Sequence, residues 1–172
     1  IAEPGYPAYR NIVAALGMTP VGIPTGPETR FQPTPELLAR AGRLDGLVIG
    51  SPANPTGTML DAAALAAIGA WCAANGVRLV SDEVYHGITF GARGVCALEV
   101  APEAIVVNSF SKYFSLTGWR VGWAVMPRSM VEVVERLAQN LYISAPTISQ
   151  IAAQAAFDDI AFLDAKVAGY AR

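Results

Sequence analysis

The chain has 172 residues, 53% of them hydrophobic and 15% charged, with 12 Lys and Arg against 14 Asp and Glu for a formal net charge of −2. That length corresponds to about one domain, too apolar for a disordered segment and without the basic excess that nucleic-acid phosphates require. Its longest apolar stretch, residues 62–74, is thirteen residues of mostly Ala, short of the roughly 20 that cross a bilayer. Two cysteines, Cys72 and Cys96, and the single His86 lack metal-ligand spacing, so neither a disulfide framework nor a metal site is expected. Nothing reads as a signal peptide, and a reducing cytoplasm is the expected compartment. The chain opens on Ile1-Ala2-Glu3-Pro4, a loop leading into a helix, and is expected to be a piece of a longer polypeptide.

Helical and extended segments alternate along the chain. Residues 6–16 read as a helix stopped by Gly17, and 20–24 as a short apolar run broken by Thr25-Gly26-Pro27. Residues 35–43 read as a short helix with Thr34 as cap and Pro35 in its first position. The run 46–51 is a buried strand. Residues 61–74 form an Ala-rich helix closed by Asn75-Gly76. Three more strands follow at 77–81, 105–108 and 121–126. Residues 129–141 read as an amphipathic helix with Val131, Val134, Leu137, Ala138 and Leu141 on one stripe, and 146–157 as a last helix. Continuously apolar strands separated by helices predict an α/β fold with a mostly parallel sheet covered on both faces.

In such sheets ligands bind beyond the carboxyl ends of the strands. Polar residues collect there: Pro52-Ala53-Asn54-Pro55-Thr56-Gly57 after the first strand, Asp82-Glu83-Val84-Tyr85-His86 after the second, and Ser109-Phe110-Ser111-Lys112 after the third. Lys112 is the leading candidate. The chain carries ten Arg and only two Lys, Lys112 and Lys166, and Lys112 lies between Ser111 and Tyr113. A lysine so placed can lose its proton and form a Schiff base, or be a surface lysine with its stem along apolar neighbours. Asp82 can pair with a cationic ring nitrogen or cap a turn. Tyr85 can donate its phenol to a ligand oxygen or be a half-buried aromatic. Asn54 can face a ligand from its turn, or the tetrapeptide can be a plain turn. Ser109, Ser111 and Arg120 offer two hydroxyls and a guanidinium fork suited to a phosphate dianion. His86 has no Ser or Cys motif around it and reads as structural or at a pocket edge.

Together these segments resemble the fold-type I, pyridoxal-phosphate-dependent aminotransferases of class I and II. The resemblance runs from Glu3 to the 129–141 helix. Its most specific part is Ser109-Phe110-Ser111-Lys112-Tyr113-Phe114-Ser115-Leu116-Thr117-Gly118-Trp119-Arg120-Val121-Gly122, which is similar to the family's lysine-attachment signature with the Lys-to-Arg spacing intact. Ser51-Pro52-Ala53-Asn54-Pro55-Thr56-Gly57 and Ser81-Asp82-Glu83-Val84-Tyr85 are two further family motifs, in the family's order.

The resemblance implies a three-layer α/β/α fold, with residues 1–172 as the central part of the large cofactor-binding domain. It implies pyridoxal 5'-phosphate as cofactor, an amino acid and a 2-oxo acid as substrates, and a homodimer. Lys112 matches the lysine that attaches the cofactor and moves the proton. Asp82 matches the partner of the pyridine nitrogen, and Tyr85 and Asn54 the ligands of the ring's 3' oxygen. Ser109, Ser111 and Arg120 match phosphate contacts, and Tyr6 the aromatic that stacks on the ring. The family's Gly/Ser-rich phosphate loop and the Tyr that reaches the partner subunit would lie upstream, and its substrate-carboxylate Arg downstream, since Arg172 is terminal and too early. Other readings within the fold group are a carbon–sulfur β-lyase, a cyclopropane-forming synthase, or the sensor domain of a transcription regulator.

Overall fold

The computed structural model describes residues 1–171; Arg172, set aside above for the substrate carboxylate, lies outside them. A short parallel pair, β1 (Ala2–Glu3) and β2 (Ile23–Pro24), brackets helix α1 (Pro7–Ala15). Helix α2 (Pro35–Arg40) follows, with Pro35 in its first turn and the Thr34 hydroxyl accepting the Leu37 N–H at 3.4 Å. The main sheet is built from β3 (Gly46–Gly50), β4 (Arg78–Asp82), β5 (Ile105–Ser109) and β6 (Gly122–Val125), in that spatial order. The first three strands are parallel, and β6 runs antiparallel to β5. The link between β5 and β6 carries a single short 3-10 turn at Thr117–Trp119 and no α-helix, whereas a parallel crossover ordinarily needs one.

Helix α3 (Ala62–Asn75) connects β3 to β4. Its ends have clear local causes. The Asp61 carboxylate accepts the Ala64 N–H at 2.8 Å, satisfying a donor that the first turn leaves free. Gly76, at φ 65°, ends the helix in a left-handed conformation that costs glycine little. Leu65, Ile68 and Cys72 of α3 join Leu47 and Ile49 of β3, Leu79 of β4 and Val106 of β5 in one core cluster. Fully burying side chains of this size contributes about 1.5–3 kcal/mol each. Alternation along the strands turns Val48, Gly50, Val80 and Asp82 to the opposite face, which is only partly buried. The mostly parallel sheet with packed helices agrees with the fold read from the sequence.

The carboxyl-terminal third departs from the sequence reading in two ways. Helix α4 (Arg128–Leu141) forms, but none of its residues is buried, including Val131 and Leu137 of the expected core stripe. No other described element packs closely along that stripe. The helix read over 146–157 ends early as α5 (Thr147–Ala155). A 3-10 turn at Ala156–Asp159 then leads into a further helix, α6 (Ile160–Tyr170). Asp159 starts α6 by accepting the Phe162 N–H at 3.2 Å, a cap just beyond the end of the helix read from the sequence.

Candidate active site

The three parallel strands end side by side. Gly50 pairs in register with Asp82, and Asp82 with Val107 two residues before Ser109. This places the segments after β3, β4 and β5 at one sheet edge, where open α/β sheets put their ligands. Each segment is anchored differently.

After β4, the turn is held by Glu83, which is only 1% exposed. Glu83 Oε1 accepts the Ser81 hydroxyl at 3.0 Å and the Ala97 N–H at 2.7 Å. Its other oxygen lies 3.3 Å from His86 Nδ1. A buried carboxylate needs such partners to offset its desolvation. His86 therefore has the structural role read from the sequence. Its Nε2 is buried without a partner among the described residues, against the backbone of Gly94, where a Cβ would come within 2.7 Å. With Glu83 turned inward, Asp82 and Tyr85 are left on the open side. Asp82 Oδ1 also accepts the Val84 N–H at 3.1 Å, tightening the turn.

Tyr9 is a site residue that the sequence reading missed. Its hydroxyl donates to Asp82 Oδ2 at 2.5 Å. Burial, followed by the hydrogen bond and charge of Asp82, pushes its pKa far above the usual phenol value, so it stays a donor. The available signal was spacing: Tyr9 lies three residues after Tyr6, one helical turn. Tyr6 and Tyr9 meet edge to face at 5.5 Å between centroids, which brings the predicted stacking residue to the Asp82 side.

After β3, Asn54 lies on the loop that also contains cis Ser51-Pro52 and Asn54-Pro55 bonds. Asn54 Nδ2 is 3.5 Å from the Tyr85 hydroxyl. Beside this pair is a cavity of about 440 Å³ with apolar walls that include Met59, Ile88 and Phe90.

After β5, Lys112 extends its Nζ to 5.4 Å from the centroid of the Tyr85 ring, a cation–π distance. The ammonium has no carboxylate partner among the described residues. The predicted phosphate contacts also cluster. Ser109 Oγ accepts the Ser111 N–H at 3.0 Å, and Arg120 Nη1 reaches Ser111 Oγ at 3.4 Å and the Thr117 carbonyl at 2.9 Å. Arg120 stands in a left-handed conformation at φ 52°, unusual for a residue with a side chain. Thr117, which the sequence reading did not single out, donates to the Ser111 carbonyl at 2.5 Å and helps close the loop. All eight residues expected from the sequence thus lie at one sheet edge, in three contact groups: Tyr6 and Asp82 through Tyr9, Asn54 with Tyr85 and Lys112, and Ser109 with Ser111 and Arg120. Among the described residues no three His, Cys, Asp or Glu side chains could jointly hold a metal ion.

A mostly parallel sheet presenting a lysine, a buttressed aspartate and a Ser/Arg cluster at its carboxyl edge defines the class. The family profile described as "Aminotransferase class I and II" matches residues 1–172, and the chain belongs to that family. It is 51% identical to the valine–pyruvate aminotransferase of Mycobacterium tuberculosis, covering 99% of this chain and 45% of that protein. It is 37% identical to the aspartate aminotransferase of Geobacillus stearothermophilus, covering 91% of this chain and 42% of that one. Among solved structures, an aminotransferase from Mycobacterium tuberculosis superposes with a TM-score of 0.95 at 50% identity, over 99% of this chain and 48% of that chain. A mutant aspartate aminotransferase of Thermus thermophilus superposes with a TM-score of 0.93 at 32% identity, over 99% of this chain and 49% of that chain. The chain spans a little under half the length of the curated relatives it matches.

Proposed function

We propose that residues 1–172 form the central part of the large, cofactor-binding domain of a pyridoxal-phosphate-dependent aminotransferase. The enzyme moves an amino group between an amino acid and a 2-oxo acid. The observation that carries this reading is the placement of Lys112 Nζ over the Tyr85 ring, at the same strand ends as an Asp82 carboxylate held by Tyr9.

The donor set fits the cofactor's chemistry group by group. Asp82 would pair with the pyridine nitrogen and, by charge, favour its protonated form. Tyr9 holds that carboxylate in one orientation. Tyr85 and Asn54 would bind the ring's 3' oxygen, Tyr6 would stack on the ring, and Arg120, Ser109 and Ser111 would hold the phosphate. When bound, pyridoxal phosphate supplies the electron sink that allows the Cα–H bond of an amino acid to break. Lys112 would take that proton at its Nζ, which stands over the Tyr85 ring at the same strand ends.

The donor is an apolar amino acid such as valine, with pyruvate as the acceptor. The 51% identity to a valine–pyruvate aminotransferase supports this, as does the apolar cavity beside Asn54 and Tyr85. The enzyme acts as a homodimer in the cytoplasm. The apolar side chains left open on β6 and α4 fit a covered face. Both free cysteines fit a reducing compartment.

The test is to add pyridoxal phosphate to the full-length protein, reduce with borohydride and map the adduct by mass spectrometry. An adduct on Lys112, lost in Lys112→Ala, is expected, together with turnover of valine and pyruvate. Labelling of Lys166 equal to that of Lys112 would overturn the assignment.

A further inference from the structure

Lys112 has no ion-pair partner among the described residues, so its direction is set by the backbone on either side of it. On one side Ser111 is tied to Ser109 and Arg120. On the other side is Tyr113, a residue that the cofactor contacts described above do not use. Its ring lies against Gly87, two residues beyond Tyr85. A Cβ built on Gly87 would come within 2.5 Å of the Tyr113 ring, and Gly87 stands at φ 87°. Position 87 is thus restricted to glycine by its backbone and by the ring against it. The Tyr113 hydroxyl donates to Asp164 Oδ1 of α6 at 2.6 Å, the short distance of a charge-assisted bond. Burial, then the Asp164 contact, pushes the phenol up to about 12, so it donates throughout the neutral range. A second bond joins the same helix and loop: Lys166 Nζ donates to Ser115 Oγ at 2.7 Å.

Most of the remaining contacts of the loop are internal. Ser115 N–H bonds the Lys112 carbonyl at 3.0 Å and Leu116 N–H the Phe110 carbonyl at 2.9 Å. Phe110 and Phe114 pack on Phe157 at 5.5 and 5.1 Å, seating the loop on the turn before α6 without fixing the direction of Lys112. Tyr113 is the residue next to Lys112 that touches both the β4 turn and α6.

We propose that Tyr113 is a positioning residue for Lys112: its ring on Gly87 and its hydroxyl on Asp164 clamp the lysine loop between the Asp82–Tyr85 turn and α6. Displacements of about 1 Å in a reacting group can cost a hundredfold in rate, so a clamp adjoining the lysine acts on the proton transfer more than on substrate binding. The inference rests on Lys112 being the attachment residue.

The test uses the full-length holoenzyme with Tyr113→Phe, Asp164→Ala and the double variant. Tyr113→Phe removes the donor and keeps the ring, and Asp164→Ala removes the acceptor and keeps the helix. We expect kcat to fall roughly tenfold in each, with the KM for the amino acid within about twofold. The double variant should be no slower than the slower single one, because the bond can be lost only once. Asp164→Glu, which keeps a carboxylate, should restore most of the rate. A second readout needs no cofactor. In the apoprotein, amide hydrogen exchange over residues 111–117 should speed up about fivefold or more in each variant, with β3 and β4 unchanged. A kcat within twofold of wild type for Tyr113→Phe, unchanged exchange over the loop, or a double variant whose loss is the product of the single ones would overturn the proposal. Absence of any borohydride-trapped cofactor on Lys112 in the wild type would instead overturn the aminotransferase assignment, and hydrogen exchange would still decide whether the clamp exists.

Discussion

The β3–α3–β4 unit and the β6–α6 region are built from similarly apolar sequence, yet they end differently. In the first, Leu47, Ile49, Leu65, Ile68 and Leu79 are almost fully buried against one another. In the second, few side chains are buried, and Leu137 stays 57% exposed. The candidate site straddles this boundary. Asn54, Asp82 and Tyr85 stand on turns rooted in the packed unit, and the buried Glu83 network holds two of them. Lys112 and Arg120 stand on a loop that closes largely on itself and leans on helices with little core of their own. The candidate residues on the β3 and β4 turns are thus rooted in the core, whereas the loop carrying Lys112 and Arg120 depends on its own hydrogen bonds and on a few contacts such as that of Tyr113 with Asp164. Elements with few buried contacts open more readily than the core.

The sharpest way to break this comparison is at Lys112. If the proposed function holds, Lys112→Ala should reduce transamination by more than about 10³-fold, because no other described residue offers an amine at that place; a steady-state assay on the full-length protein checks it. Residual activity within tenfold of wild type would mean that the chemistry does not depend on the loop.

The next effect is on stability. Leu65→Ala should destabilise the 172-residue chain by about 2–5 kcal/mol, whereas Leu137→Ala should cost no more than about 0.5 kcal/mol. Urea denaturation measures both. Equal losses would mean that the α4 stripe is covered in solution and that the two regions are alike.

Tyr9→Phe sharpens the comparison inside the packed half of the site. It removes one hydrogen bond to a carboxylate, worth about 1.5–3 kcal/mol, and should lower kcat/KM at least about tenfold while leaving the fold intact. Circular dichroism alongside kinetics separates the two.

The smallest effect is in acid. The Arg93 hydrogen bonds and the Cys96 N–H hold the Glu99 carboxyl down at about 2, against an ordinary value of 4.5. A depressed carboxyl adds stability that is fully present above its unfolded value and fades as pH falls from 4.5 through about 2. The pair is exposed, so the contribution is small. Arg93→Ala should lower stability slightly at neutral pH, with the difference from wild type shrinking as pH falls through that window, as thermal melts between pH 2 and 7 would show.

Much of this arrangement was legible in the order of residues. The parallel strands are short apolar runs whose ends carry Asn54, Asp82 and Ser109, and the caps at Thr34 and Gly76 are local chemistry. The eight expected site residues fall at one sheet edge because parallel strands bring their carboxyl ends together whatever their distance along the chain. Tyr9 escaped notice because its role depends on where α1 lies relative to β4, 73 residues away. Helix α6 was not among the elements read from the sequence, which ended at residue 157, and the bond from the Phe162 N–H to Asp159 shows where the new helix starts.

Local propensity and hydrophobic pattern, which act over a few residues, were enough to determine the main strands, the helices up to α5 and the motif-bearing turns, but not α6. The tertiary structure alone decided which faces are covered, which way β6 runs, that Glu83 turns inward while Asp82 turns out, and that Tyr113 meets both Gly87 and Asp164. Those outcomes depend on distances between segments far apart in the chain, and such distances exist only once the core has packed.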